Sequence, residues 1–335
     1  MTSTFLVRVD GGGQIGAGHF VRSGALAEQL TCGGGAVSIF TVFDGDWNAF
    51  GIRPDVLARL RLFHSPAEAD RAFLDALTPG AAAIIDGYSV SAALLEAARV
   101  RAGRVVYVTE LPDEQRGRFA TDVLFPGGDL YAAGYRAKFS EAMRGARVWS
   151  SPADLPLREI VRQPRTADVQ DGRGLVVTLG GSSAGRLARR LMAHIAGRIA
   201  DEGITLLAPH SGDADALPAA GGERVRVISA PPIERYLSEL ADARYVLTAA
   251  GSTCWELLHL RRPFFPIVIA ENQHELARGL CEQGMVASYF DALAHPIEEL
   301  RIGPEDFRRN PAWPIEGASP LVASLLASSS EAAGC

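Results

Sequence analysis

The chain has 335 residues, with 33 Lys+Arg against 39 Asp+Glu and a formal net charge of −6. That length suits two domains of ordinary size, and 47% hydrophobic with 21% charged residues is the composition of packed cores, not of a disordered chain. Scattered arginines on an acidic chain exclude bulk nucleic-acid binding, which needs a concentrated basic footprint. The longest run without Asp, Glu, Lys or Arg, Gln29–Phe43, contains three consecutive glycines and is too short to span a membrane. Arg8 and Asp10 inside the first apolar run are foreign to a signal peptide, so a soluble, cytoplasmic protein is expected, without membrane partners. Cys32, Cys254, Cys281 and Cys335 form no CxxC, which argues against a disulfide framework or a zinc cage.

In chain order, apolar runs predict strands at Phe5–Asp10, Ala36–Phe43, Ala82–Asp86, Arg104–Thr109 and Asp122–Phe125. Helical spacing at His19–Gln29, Ala67–Leu77 and Val90–Arg101 separates them. Between Trp149 and Arg173, a Ser-Ser-Pro step, Pro156, Pro164 and mixed charges break the periodicity, so a linker is placed at 150–173. The alternation then restarts. Strands are predicted at Gly174–Leu179, Ile204–Ala208, Val225–Ile228, Tyr245–Thr248 and Phe264–Ile269. Helices are predicted at Arg186–Ala200, Ile233–Leu240, Thr253–Leu260, Gln273–Gln283 and Ser319–Ala327. The fold class is α/β: two doubly wound, Rossmann-like domains at 1–149 and 174–327, with a loose tail at 328–335.

Five small or polar clusters fall at strand carboxyl ends, where open α/β sheets bind ligands. Asp10-Gly-Gly-Gly-Gln-Ile-Gly-Ala-Gly-His19 opens the first helix. Gly11, Gly13 and Gly16 formally satisfy GxGxxG, but the acidic residue that should follow about 20 positions later is only approximated by the distant Asp44. His19 has a side chain suited to general-base work at neutral pH, or it packs at a helix start. Asp86-Gly87-Tyr88 is either a substrate contact or an Asp-Gly turn with a surface tyrosine. Leu179-Gly-Gly-Ser-Ser183 offers backbone donors to a phosphate, or is a tight turn. Ala249-Ala-Gly-Ser-Thr-Cys-Trp-Glu256 opens a helix that Ser252 can N-cap, with Glu256 in the first turns. Ala270-Glu-Asn-Gln273 supplies amides at the same edge. Asp44-Gly-Asp46 resembles a metal-binding DxD, a pattern common by chance. The other histidines lack paired metal-ligand spacing, and Cys254 reads as a packing residue.

Taken together, Arg8 to Arg22, Ile84-Ile-Asp-Gly-Tyr88, Leu179-Gly-Gly-Ser182, Ala250 to Leu257, Glu271-Asn-Gln273 and Ile315-Glu-Gly-Ala318 resemble the PseG/SpsG group. These are nucleotide-sugar hydrolases of the UDP-2,4-diacetamido-2,4,6-trideoxy-β-L-altropyranose hydrolase type, with the GT-B fold of MurG-like glycosyltransferases. The resemblance spans about residues 5–327. It implies His19 as the base that activates water, Tyr88 and Asn272 lining the sugar site, and Glu256 holding the ribose. Gly181, Ser182, Gly251, Ser252 and Thr253 would approach the diphosphate, with Gln273 beside them. Gly16 and Gly18 would let the sugar–diphosphate come close. No cofactor or metal is implied; the substrate would be a UDP- or GDP-linked sugar, with a small acceptor as a further partner on the transferase alternative.

The chain departs from the family at Asp10-Gly-Gly, at Thr109-Glu-Leu-Pro-Asp113 and at Ser150 to Arg158, all outside the nucleotide half. Three other functions stay open: a glycosyltransferase on the same scaffold, an NAD-dependent dehydrogenase using Gly11–Gly16, and a noncatalytic nucleotide-sugar-binding protein.

Overall fold

Long apolar runs buried on both faces make parallel strands, and two all-parallel sheets organise this molecule. The computed structural model describes residues 3–12, 17–44, 50–162, 172–180, 185–195, 203–208, 225–308 and 319–331. The first sheet has Thr4–Val9 (β1), Ala36–Thr41 (β2), Leu60–Leu62 (β3), Ala81–Asp86 (β4), Arg104–Val108 (β5), Asp122–Leu124 (β6) and Arg147–Trp149 (β7), in the order β3-β2-β1-β4-β5-β6-β7. The second has Arg173–Thr178 (β8), Ile204–Ala208 (β9), Val225–Ser229 (β10), Ala243–Ala249 (β11), Phe264–Val268 (β12) and Phe290–Asp291 (β13), in the order β10-β9-β8-β11-β12-β13. The main helices are Gly18–Cys32 (α1), Pro66–Ala76 (α2), Ala92–Arg101 (α3), Ala133–Ala142 (α4), Gly185–Ile195 (α5), Ile233–Asp242 (α6), Ser252–His259 (α7), His274–Glu282 (α8) and Pro320–Glu331 (α9).

The expected doubly wound α/β architecture is present twice. Three short strands, β3, β7 and β13, escaped the sequence pattern because two or three residues carry no readable period. The strand expected at Ala36–Phe43 stops at Thr41. There the Val42 N–H leaves the ladder to donate to Asp10 Oδ1 at 2.9 Å. Phe43–Asp44 then pair with Gly11–Gly12 in a separate short ladder.

The last helix departs further from expectation. Read as the end of the C-terminal unit, α9 instead packs Leu321, Val322 and Leu325 into the core under β1 and β2, beside Phe5, Leu30 and Ile39. It also continues to Glu331, through residues expected in a loose tail; Arg104 donates to Ser328 Oγ at 2.8 Å and to the Ser324 carbonyl at 2.9 Å. Tertiary burial of one face carries the helix on through serine-rich residues whose own sequence does not announce it. Residues 332–335 lie outside the described residues, as do 196–200 of the helix expected at Arg186–Ala200.

The two halves also meet through α8, whose Gly279 lies against the chain at Leu130–Ala132. A Cβ there would stand 2.1 Å from the Leu130 carbonyl oxygen, so only glycine permits this approach. Gln283 Nε2 reaches the Asp129 carbonyl at 2.6 Å on the same seam. No helix among the described residues is long and apolar enough to cross a membrane.

Asp154 ties α9 to the chain that leaves the first sheet. It is 4% exposed, and its carboxylate accepts from Ser319 Oγ at 2.8 Å, Leu321 N at 2.9 Å and Ser151 Oγ at 2.7 Å. Asp154→Ala strands these donors and is expected to lower unfolding stability by about 1–3 kcal/mol in urea titration. A loss below about 0.5 kcal/mol, the level of an ordinary surface change, would show that α9 is held by its apolar face alone.

Candidate active site

In each sheet the winding reverses once, between β1 and β4 in the first and between β8 and β11 in the second. Loops diverge at such switch points and leave a crevice at the strand carboxyl ends. Register sharpens this: Val9 lies opposite Asp86, so the chain leaves the first sheet at Asp10 and Gly87 side by side. The loops after all four strands, joined by those after β5 and β12, line one cavity of about 650 Å³ between the halves. Its walls include Asp10, His19, Arg22, Tyr88 and Glu110 from the N-terminal half, and Gly180, Ser252, Thr253 and Asn272 from the C-terminal half.

His19 sits in the first turn of α1, 5% exposed. Its Nδ1 lies 2.7 Å from Asp86 Oδ1 and 2.8 Å from Arg22 Nη2, so the ring is held between a carboxylate and a guanidinium. Arg22, one helical turn on, donates to both Asp86 oxygens at 2.6 and 2.7 Å, and Ser23 Oγ adds a donor at 2.8 Å. Burial alone would push the Asp86 carboxyl up, but Arg22 and then His19 outweigh it and hold the group well below the usual carboxylate range. Arg22 also pairs with Glu110.

Glu110 in turn accepts from the Tyr88 hydroxyl at 3.2 Å, and that hydroxyl accepts from Asn272 Nδ2 at 2.8 Å, a bond that crosses between the halves. Burial, with the Glu110 charge alongside, pushes the Tyr88 phenol above its ordinary value, so at neutral pH the hydroxyl keeps the proton it donates. The Tyr88 ring stands edge-on to His19, with centroids 4.4 Å apart.

A second cavity, of about 160 Å³, opens beside the first and shares Ala17, Gly18, Gly180, Ser252 and Thr253 with it. The N-terminal ends of α1 and α7 therefore meet where the two cavities join. Leu207, Ala208, Pro231, Ile233 and Tyr236 give the smaller cavity an apolar lining, with Glu256 on its wall. Ala230, also in this wall, has φ +42°, a left-handed conformation that costs a non-glycine residue energy. Glu256 is 7% exposed and paired with Arg158.

The structure thus brings together His19, Tyr88, Asn272, Gly18, Gly251, Ser252, Thr253, Glu256 and Gln273 around two adjoining cavities. Gly16, Gly181 and Ser182 lie outside the described residues, as do Gly13, Ser183, Asp46 and Ile315–Ala318. Two expectations need correction. Ser252 is not the N-cap: Gly251 takes that place with extended backbone, and the helix starts one residue earlier. Tyr88 is not an exposed turn residue but half-buried and bonded on both sides.

Gln273 uses its Oε1 locally, accepting from Ile269 N at 2.9 Å. Cys254 is fully buried, its thiol pushed up to about 12 by burial, as befits a packing residue. Sequence reasoning assigned no role to Arg22, Glu110 or Arg158. Arg22 had a signal, lying three residues after His19 on the same helical face. Arg158 had none, because it sits in the segment read as a linker.

No protein-family model and no curated protein matches this chain. Solved structures do. MurG of Acinetobacter baumannii is 15% identical over 88% of each chain, with a TM-score of 0.55. UDP-GlcNAc 2-epimerase of Neisseria meningitidis, bound to UDP-GlcNAc, is 11% identical over 97% of this chain and all of its own, with a TM-score of 0.58. The Methanocaldococcus jannaschii enzyme, in complex with UDP-GlcNAc and UDP, is 12% identical over 96% and 99%, with a TM-score of 0.56. At such identities the likeness is one of fold: this chain has the two-domain GT-B architecture of those proteins.

Asp86 gives this site a measurable signature. Asp86→Asn removes the charge that offsets a buried Arg22 and is expected to destabilise the protein by about 3–5 kcal/mol at neutral pH. Because folding lowers the Asp86 pKa, its stabilisation is complete above the unfolded value of 3.8 and fades as pH falls toward the lower folded one. The difference between parent and variant in urea unfolding should therefore shrink below pH 3.8. A gap that stays constant as the pH is lowered would contradict a charged Asp86 at the centre of the network.

Proposed function

We propose that this protein is a GT-B enzyme that cleaves the anomeric C–O bond of a nucleoside-diphosphate sugar, with water as the acceptor and His19 as general base. The observation that carries this reading is the His19–Asp86 pair, set in the cavity wall at the point where two helix N-termini converge from opposite halves. That arrangement has both parts that displacement at an anomeric carbon needs: a base for the nucleophile and oriented donors for an anionic leaving group. The fold supports it as well, since the MurG and epimerase structures share it and the two epimerase structures hold UDP-GlcNAc.

On this reading the nucleobase enters the small apolar cavity and Glu256 accepts from the ribose diol. The diphosphate lies between the ends of α1 and α7, where backbone N–H groups and helix dipoles favour anions. The sugar fills the larger cavity beside Tyr88 and Asn272. A water oxygen attacks the anomeric carbon and gives its proton to His19 Nε2. The carbon–oxygen bond breaks, and its electron pair leaves on the nucleoside diphosphate. Asp86 stabilises the imidazolium that forms. Two carboxylates, Asp86 and Glu110, share the single Arg22 guanidinium.

The test is turnover of UDP-, GDP- and dTDP-sugars with and without acceptors, in water labelled with heavy oxygen. Label in the freed sugar, without any acceptor, is expected. Diphosphate release only when an acceptor is added would assign a glycosyltransferase instead, with His19 deprotonating that acceptor. His19→Ala should slow turnover by roughly 10²–10⁴ while the protein still binds nucleotide; unchanged turnover would remove His19 from the mechanism. Glu256→Ala should weaken binding of the free nucleoside diphosphate, measured by calorimetry, by about tenfold or more. Parent-like affinity would contradict the ribose assignment.

A further inference from the structure

Arg158 lies between the two sheets, in chain that sequence composition marks only as a linker, yet it is 5% exposed and lines the small cavity. Its guanidinium is divided between the halves. Nη1 donates to the Phe50 carbonyl of the N-terminal half at 2.6 Å, and Nη2 pairs with Glu256 Oε1 on α7 of the C-terminal half. Phe50 and Glu256 line the same cavity. The fork is therefore anchored at both ends in one cavity wall. Among the described residues Arg158 Nε has no partner, and no hydrogen bond occupies the second Glu256 oxygen.

Left to itself, a glutamate in the second turn of a helix can take several rotamers, each presenting its oxygens differently. Pairing one oxygen with a fixed, planar guanidinium removes that freedom and presents the other in a single direction. Resting on the nucleoside-diphosphate reading above, we infer that Arg158 is a positioning residue for ribose recognition. It holds Glu256 so that its free oxygen meets the ribose hydroxyls, and through the Phe50 carbonyl it ties that geometry to the apposition of the two halves. A lysine cannot substitute: one ammonium lacks the planar fork that reaches carbonyl and carboxylate together.

The consequence is a selectivity, not merely an affinity. A carboxylate correctly presented to the diol should discriminate against a nucleotide that lacks the 2′-hydroxyl by about ten- to a hundredfold, the worth of a hydrogen bond to a charged group. A direct contact from Arg158 to the diphosphate would instead strengthen ribo- and deoxyribonucleotides equally. A purely structural role would lower stability and leave the ratio intact.

The experiment measures dissociation constants of UDP and 2′-deoxy-UDP, and of GDP and 2′-deoxy-GDP, by calorimetry on the parent, Glu256→Ala, Arg158→Ala and Arg158→Lys. The parent should prefer the ribonucleotide by about tenfold or more. Glu256→Ala should bring the ratio close to one, and both Arg158 variants should bring it to within about threefold of one. If Arg158→Ala does not fold, Arg158→Lys, which keeps the charge, carries the test. An Arg158→Lys variant that retains the parental ratio overturns the proposal, even if it binds both nucleotides more weakly. The reading beneath it fails separately: a parent that binds neither nucleotide, or a Glu256→Ala variant that still discriminates, removes the ribose assignment itself.

Discussion

One buried carboxylate organises the cleft. Asp86 ends a strand whose six residues are all buried, and an isolated charge there would be strongly disfavoured. It is retained because Arg22, His19 and Ser23, all on α1, converge on its two oxygens. The consequence is mechanical as well as electrostatic. α1 is pinned by its first turns to the end of β4, which sets the start of that helix against the cleft. Arg22 then reaches Glu110 at the end of β5, and Glu110 reaches Tyr88. The ends of β4 and β5 and the start of α1 are fixed relative to one another by a single guanidinium shared between two acids.

Among the described residues the second half joins this network through one direct polar bond, Asn272 to the Tyr88 hydroxyl, while apolar packing and α8 hold the halves together nearby. That division of labour suits a cleft that must admit a ligand. The apolar seam, with Gly279 against Leu130–Ala132, fixes the spacing of the halves. The polar bond lies inside the cavity, where on the proposed reading a sugar hydroxyl exchanges with it at little net cost, one hydrogen bond replacing another. Tyr88 and Asn272 thus satisfy each other, and on the proposed reading they are matched in chemistry to a polyhydroxyl ligand.

Much of this was legible in the sequence, for a physical reason. Parallel strands buried on both faces leave uninterrupted apolar runs, so Ala82–Asp86 and Ile204–Ala208 announced themselves, and strand carboxyl ends then located His19, Tyr88 and Asn272. What was hidden lay in contacts between residues far apart in the chain. The Arg104 bonds to α9 span more than two hundred residues, and α9 folds back onto the first sheet where local pattern assigned it to the second. Arg158 was hidden because a linker has no period to read. Glu110 was visible only as a departure from a family pattern, and its pairing with Arg22 and Tyr88 gives that departure a structural content. The Ser252 cap failed because propensity ranks side chains and not the turn that precedes them; Gly251, in extended backbone, had already taken the position.

The overall charge acquires meaning from this arrangement. A chain with a net charge of −6 has no long-range pull on a diphosphate, and the two arginines that line the cavities among the described residues are already committed. Arg22 is held by Asp86 and Glu110, and Arg158 by Glu256. No lysine lines either cavity. On the proposed reading the anion must therefore be held by backbone N–H groups at the starts of α1 and α7, with the Ser252 and Thr253 side chains that share the wall. Such donors have a further property that suits a leaving group. They are fixed in direction, they carry partial charges, and they need no reorientation as negative charge grows on the departing oxygen. The arginines hold Asp86 and Glu256 in place, so on that reading the cations of this cleft act on the protein's own carboxylates and the helix ends act on the substrate's phosphates.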